Sequence, residues 1–243
     1  MAHALGVARE TMLMRHLDDP APAVFAVLVE RRVAQEPVAY ITGFRDFWTI
    51  ALRVAPGVLI PRADTETLLE AAVAHFGTRS PRTILDLGTG SGALLLAALD
   101  QWPGATGIGV DRSPDALAVA EANARRLGMA DRARIVAGGW EGRDGPHELI
   151  LCNPPYIETG AMLPREVADY EPAGALFAGA DGLDDYRALA PLLRAQIAPG
   201  GIACIEIGSG QGEAAAALFR AEGLSVAVRP DLAGRDRCLT VTP

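Results

Sequence analysis

The chain has 243 residues, half of them apolar. That is enough for one sizeable core with a small appendage and too little for two large domains. The formal net charge of −8 weighs against a long DNA or RNA footprint, because phosphate binding is carried by a positive face.

The N-terminal residues from Met1 to Asp19 are mixed polar and apolar, with no basic start leading into an apolar run. No segment approaches the ~20 apolar residues of a membrane span. A soluble, cytoplasmic protein without a membrane partner is expected. No Lys occurs, which a GC-rich bacterial genome explains. The spacing of Val24, Val27, Leu28 and Arg31 predicts a helix over Pro22 to Gln35. From Asp46 to Ile60 the residues turn β-branched and aromatic, which predicts a hairpin with Pro56-Gly57 as its turn. Asp64 then reads as the cap of a helix carrying Leu68, Leu69, Ala72 and Val73.

Past Pro81 apolar runs alternate with helical patterns. Strands are expected at Thr83–Leu87, Thr106–Val110, Ala133–Ala137, Glu148–Cys152, Gly201–Ile207, Leu224–Val228 and Cys238–Val241. Helices are expected near Ala93–Gln101, Pro114–Leu127, Leu183–Ile197 and Gly212–Glu222. Such alternation predicts an α/β fold, a doubly wound parallel sheet covered on both faces. The two closely spaced last strands imply a final hairpin with one strand antiparallel. The expected division is an N-terminal region over residues 1–76 and a ligand-binding domain over 77–243. The cysteines, Cys152, Cys204 and Cys238, all lie in strand-like runs without metal-ligand spacing. They read as buried, reduced thiols, and no metal is expected.

Three motifs carry chemistry. The first strand runs into Gly88-Thr89-Gly90-Ser91-Gly92 and then a helix, where glycines let the backbone turn sharply against a ligand and free N–H groups await it. A dinucleotide G-x-G-x-x-G pattern fails at Ala93, whereas the D-x-G-x-G-x-G arrangement of methyltransferases fits from Asp86 to Gly92. Asp111 ends the second strand about 20 residues beyond Gly90, the place of a ribose-binding carboxylate. Ser113, followed by Pro114, is the better helix cap, which leaves Asp111 for the ribose. Trp140, after Gly138-Gly139, could cover an adenine face or pack as scaffold.

The fourth strand delivers Asn153-Pro154-Pro155-Tyr156. A planar amide nitrogen is a poor nucleophile, so a methyl donor needs its lone pair aimed in line. The Asn153 side-chain oxygen and the Pro154 carbonyl can hold the two N–H hydrogens in a plane. Prolines fix the dihedral angles and remove competing donors, and Tyr156 can stack on the planar group. Catalysis of this kind is positioning, worth ~7–11 kcal/mol in favourable cases. A sulfonium donor already makes its methyl electrophilic, so no metal is needed. Asn153, Pro154 and Tyr156 are therefore the catalytic candidates, and Asn153 to Tyr156 the substrate-binding ones.

These residues resemble the HemK/PrmC-type N5-glutamine methyltransferases, which modify the Gly-Gly-Gln loop of peptide-chain release factors. The resemblance spans roughly Pro37 to Thr242. It includes Pro37–Gly43, Phe47-Trp48, Val58–Glu66, Asp86–Gly92, Asn153–Tyr156, Glu206–Gln211 and Asp231–Arg237. It implies the seven-stranded class I methyltransferase (Rossmann-like) fold, S-adenosyl-L-methionine as cofactor with S-adenosyl-L-homocysteine as product, and a release factor as partner. Its cofactor positions fall on Gly88, Thr89, Gly90, Ser91, Gly92, Asp111, Trp140 and Asn153; its substrate positions fall on Asn153, Pro154, Pro155 and Tyr156. The segment Ile60–Glu66 would flank the active-site mouth. Two departures stand out: a short helical region ahead of the hairpin, and Gly139 where the family carries an acidic residue. A monomer without stable nucleic acid is expected. Asn-Pro-Pro-Tyr alone is shared with N6-adenine methyltransferases of DNA and RNA, so methylation of an exocyclic amine is the second reading. A non-catalytic, cofactor-binding paralogue is the third.

Overall fold

The computed structural model describes residues 1–243. In chain order the elements are α1 (Ala2–Leu5), α2 (Arg9–Arg15), α3 (Ala23–Val33), α4 (Val38–Thr42), β1 (Phe44–Phe47) and β2 (Ile50–Arg53). A 3₁₀ turn, Ala63–Thr65, leads into α5 (Glu66–Phe76). The alternating part follows: β3 (Thr83–Leu87), α6 (Ala93–Gln101), β4 (Thr106–Asp111), α7 (Pro114–Arg126), β5 (Ala133–Ala137) and β6 (His147–Cys152). The chain closes with α8 (Arg165–Ala168), α9 (Asp184–Gln196), β7 (Ile197–Glu206), α10 (Gly212–Ala221), β8 (Ser225–Pro230) and β9 (Asp236–Thr242).

The seven-stranded sheet has the order β5-β4-β3-β6-β7-β9-β8. Strands β3 to β7 run parallel, and β9 is antiparallel to both neighbours. The expected doubly wound sheet with a final hairpin is therefore observed. Side chains alternate across it, as the two-residue period of a strand requires. Ile84, Leu149, Leu151 and Cys204 face a core shared with α5 and α6. Leu85, Leu87, Ile150 and Ile205 face Tyr186, Leu189 and Leu193 of α9 and Phe219 of α10. The order reverses between β3 and β6, so ligands are favoured at the carboxyl ends of those two strands.

Three local expectations are corrected. The hairpin turns at Trp48-Thr49, not at Pro56-Gly57: Phe47 pairs with Ile50, leaving a two-residue loop with Trp48 at φ 54°. Two-residue loops favour such left-handed backbone. Burial of Phe47, Ile50 and Leu52 in the first core selects that register, and Glu66 accepts the Trp48 N–H at 2.8 Å. Asp64 does not cap α5: the cap position falls on Thr65, and the Asp64 carboxylate pairs with Arg237 at 3.3 Å. Strand β7 begins at Ile197 rather than Gly201. Helices α1 and α2 fall in a stretch whose mixed polarity gave no periodic signal, and neither contains a buried residue.

Candidate functional site

A cavity of about 550 Å³ opens at the carboxyl ends of β3 and β4, against the glycine turn. Asp86, Gly88, Thr89, Gly90, Ser91, Asp111, Trp140 and Asn153 all line it. A second cavity, about 700 Å³, lies at the opposite strand ends around Thr83, Thr106 and Ala133, and contains none of the nominated residues.

The glycine turn is shaped by positive φ at Gly88, Gly90 and Gly92, a backbone region that costs an L-residue ~1–2 kcal/mol. Gly88 also sits under the Trp140 indole, whose ring atoms lie 3.4–3.5 Å from where a Cβ would stand. Trp140 is held twice: its indole Nε1 donates to Asp185 at 3.1 Å, and its main-chain oxygen accepts from Gln196 at 2.7 Å. Asp111 is held by two main-chain donors, Gly90 N and Ser113 N, each at 2.9 Å. A carboxylate has about four acceptor sites, so both oxygens keep capacity for ribose hydroxyls. Ser113 caps α7 as expected, accepting from Ala116 N. Gly92, which closes the motif, forms the N-cap of α6 behind the cavity lining.

Asp86 opens the glycine motif, and the structure gives it a larger role. Its Oδ2 accepts from the Thr89 hydroxyl at 2.6 Å and from Leu95 N at 3.2 Å. Its Oδ1 is buried without a partner. Burial pushes this carboxyl up to about 7, against the pull of the Thr89 and Leu95 bonds; the nearby Asp111 charge adds to the rise. An orphaned acceptor at the cavity wall suits a cationic amine, and the flanking ring and ribose-type acceptor suit a nucleoside. The donor set thus fits an amino-acid-bearing adenosine such as S-adenosylmethionine.

Asn153 leaves β6 at the cavity's other wall. Its Nδ2 donates to the Thr65 hydroxyl at 3.4 Å, which leaves Oδ1 as the free acceptor. Pro155 lines the cavity, whereas Pro154 and Tyr156 do not. Tyr156 packs on the second core cluster, and its phenol donates to Glu206 Oε1 at 3.1 Å. Gln211 locks this loop from behind, donating to the Tyr156 carbonyl at 3.0 Å while its Oε1 accepts from Gly208 N. The front wall comes from Val58, Leu59, Pro61 and Thr65. It is tied to the back by Glu171, which accepts from Ile60 N at 3.2 Å and pairs with Arg62. The expected mouth segment Ile60–Glu66 is thus brought to the site.

Residues to which the sequence assigns no site role include Asn123, Glu171 and Glu206. Asn123 Oδ1 accepts from Arg53 N, and its Nδ2 donates to the carbonyls of Arg53 and Ser91. One buried amide thereby joins the hairpin to the glycine turn. The only available signal was a polar residue on the buried face of an amphipathic helix.

Comparisons with known proteins agree with this geometry. Residues 62–169 match the family described as "Methyltransferase small domain", and residues 1–43 match "PrmC N-terminal domain". The release factor glutamine methyltransferase of Rhodospirillum rubrum is 44% identical over 98% of this chain and 75% of its own length. That of Cereibacter sphaeroides is 45% identical over 99% of this chain and 87% of its own. Among solved structures, a Pyrococcus furiosus methyltransferase has a TM-score of 0.57 at 15% identity, covering 90% of this chain and 95% of its own. A ribosomal protein L11 methylase from Lactobacillus delbrueckii subsp. bulgaricus scores 0.56 at 20%, covering 79% and 84%. At these identities the structural likeness speaks for the fold alone. The sequence likeness goes further: this chain is a methyltransferase and belongs to the release factor glutamine methyltransferase family.

Proposed function

We propose that the chain transfers a methyl group from S-adenosylmethionine to the side-chain amide nitrogen of a glutamine in the Gly-Gly-Gln loop of a peptide-chain release factor. The observation that carries this reading is that Asn153 and the Gly88–Ser91 turn line one cavity. When bound, the cofactor supplies an electrophilic methyl on a sulfonium. Asp86 receives its amine, Asp111 its ribose, and Trp140 covers its adenine. The Asn153 oxygen and the Pro154 carbonyl accept the two amide hydrogens and hold the nitrogen in plane, so its lone pair faces the donor. Tyr156 acts from behind, fixing the loop through Glu206, in place of the stacking role its position in the motif suggested.

Residues 77–243 supply the cofactor's polar partners in this reading, and residues 1–76 the front wall of the cavity and the docking region for the protein substrate. The enzyme works as a cytoplasmic monomer without a stable nucleic-acid partner. No helix is long and apolar enough to cross a membrane. Incubation with methyl-labelled S-adenosylmethionine and a release factor should place the label in the Gly-Gly-Gln peptide. Label in DNA or RNA and none in that peptide would replace this reading with exocyclic-amine methylation, where a flipped base takes the same slot.

A further inference from the structure

The turn that carries Trp140 also carries a carboxylate with no part in the function proposed above. Glu141 follows the indole directly and lines the same cavity. The Gly142 N–H donates to the Gly139 carbonyl at 3.2 Å, so Trp140 and Glu141 are the two central residues of a closed turn. Gly142 has φ 62°, and a Cβ there would stand 2.9 Å from Leu85 and 3.0 Å from Gln196. Together with the Gln196 bond to the Trp140 carbonyl, this close approach seats the turn on the second core cluster.

Glu141 is exposed, yet its carboxylate has a set place. Oε1 accepts from Gly139 N at 3.1 Å. A carboxylate has about four acceptor sites, so Oε2 keeps capacity for a ligand. Gly139 is bare for a matching reason. Its backbone lies outside the left-handed region, so its conformation does not demand glycine. A Cβ at that position would instead stand 2.8 Å from Glu141 Oε2, closer than a Cβ approaches an oxygen. The carboxylate of residue 141 thus fills the space where a side chain of residue 139 would begin.

Four charged side chains line the cavity: Asp86, Asp111, Arg112 and Glu141. Asp86 and Asp111 have their parts in holding the cofactor's amine and ribose, and Arg112 donates to the Gly174 carbonyl at 2.7 Å. Glu141 remains. An adenine against Trp140 makes one further demand. Its exocyclic amine carries hydrogens in the ring plane and loses water on entering the cavity, a cost that an acceptor must offset. A carboxylate offsets it more strongly than a neutral oxygen does.

We infer that Glu141 accepts the exocyclic amine of the adenine and so selects a 6-amino over a 6-oxo purine. This rests on the placement of the adenine at Trp140. The Gly139 N–H steers Oε1, and Oε2 meets the amine. A 6-oxo ring would bring an oxygen to the same point, where two acceptors repel. Glu141 binds and takes no part in methyl transfer.

The test is calorimetric titration of the full chain with S-adenosylhomocysteine and with S-inosylhomocysteine, which carries a 6-oxo purine on the same ribose and amino acid. Wild type should prefer the adenosyl ligand by ~30-fold or more, in the range of one hydrogen bond to a charged group. Glu141→Ala should weaken the adenosyl ligand by ~10-fold and spare the inosyl one, so that the preference falls to within ~3-fold. Glu141→Gln can turn either its oxygen or its NH₂ to the ring and should also bind the two within ~3-fold. Gly139→Ala is the sharper variant. Its methyl pushes aside the end of a flexible side chain and leaves the backbone alone, so Tm should stay within a few degrees while the preference falls as in Glu141→Ala. A wild-type preference in Glu141→Ala or Gly139→Ala overturns the inference, even if both ligands weaken together as the loss of a turn contact would make them. Trp140→Leu checks the placement beneath it. Equal weakening of both ligands there keeps the base at this wall; unchanged affinity for both removes the base from it, and the inference with it. No methyl acceptor is present in these titrations, so a failure to label the release factor would leave their result standing.

Discussion

The two walls of the cavity are held by different kinds of bond. At the glycine wall the polar atoms are largely main chain: Gly90 N and Ser113 N orient Asp111, and Leu95 N orients Asp86. Their partners lie within a short stretch of β3, β4 and the turns after them. At the Asn153 wall the atoms are side chains from distant parts of the chain. Thr65 precedes α5, Asn153 follows β6, Glu206 ends β7, and Glu171 reaches back to Ile60 and Arg62. Backbone donors at a helix start are rigid and indifferent to the acceptor's chemistry, which suits one fixed cofactor. Side-chain networks are adjustable by single substitutions, which suits a wall that must select a substrate.

This division is most sharply tested at Asn153. Its side chain makes one long bond to Thr65, so Asn153→Ala should leave Tm within a few degrees. Loss of the acceptor oxygen should lower kcat by ~10²–10³-fold, the cost seen when a single orienting hydrogen-bond group is removed from an active site. Steady-state kinetics with the release factor check this; wild-type kcat in Asn153→Ala would deny the residue its role.

Next in size is Asn123, whose three bonds span the hairpin and the glycine turn. Asn123→Ala strands Arg53 N and the Ser91 carbonyl in a buried setting, at ~1–3 kcal/mol for each group that water cannot reach. Urea unfolding should report a loss of ~2–4 kcal/mol. Affinity for S-adenosylhomocysteine should fall with it, because Ser91 lines the cavity. A smaller effect is expected from pH. Asp86 must be ionised to receive a cationic amine, and its pKa in the unliganded protein is raised to about 7. Affinity should therefore be level above about 7 and fall by up to ~10-fold per pH unit below it. Asp86→Asn should bind weakly and flatten the profile; a wild-type profile flat from pH 5 to 8 would remove Asp86 from the amine site.

The contrast between the walls also explains what could be read from the sequence. Strands β3 and β5 and helix α6 were legible to the residue, because apolar period and flanking glycines are local signals. Asp111 and the Gly88–Gly92 turn were legible for the same reason. The inward turn of Tyr156 was not, because it depends on Glu206, two helices and a strand further along the chain. The hairpin was placed in the right region with the wrong turn. Pro56-Gly57 is the stronger local turn signal, but burial of Phe47 and Leu52 decides the register, and burial is a tertiary quantity. Asp64 likewise looks like a helix cap locally, but its partner, Arg237, lies at the far end of the chain.

The finest test separates two glycines within one wall. Gly88 and Gly90 both have positive φ, 72° and 56°, so alanine at either should cost ~1–2 kcal/mol of backbone strain. Their surroundings differ. A Cβ at Gly88 meets the Trp140 ring at 3.4 Å, an ordinary contact distance, whereas one at Gly90 meets only the Gly88 carbonyl at 3.9 Å. Stability should thus fall alike in the two variants, to within ~0.5 kcal/mol. Ligand affinity should not. Alanine at Gly88 presses a methyl against the Trp140 indole, the ring assigned to the adenine. Alanine at Gly90 instead perturbs the N–H that orients Asp111. S-adenosylhomocysteine and its 2′-deoxyribose analogue separate the two effects. Gly90→Ala should narrow the gap between the two ligands, because the ribose acceptor is already displaced, while Gly88→Ala should weaken both by the same factor. Equal narrowing in both variants would mean that the turn moves as one rigid piece and that its two glycines do not serve separate parts of the nucleoside.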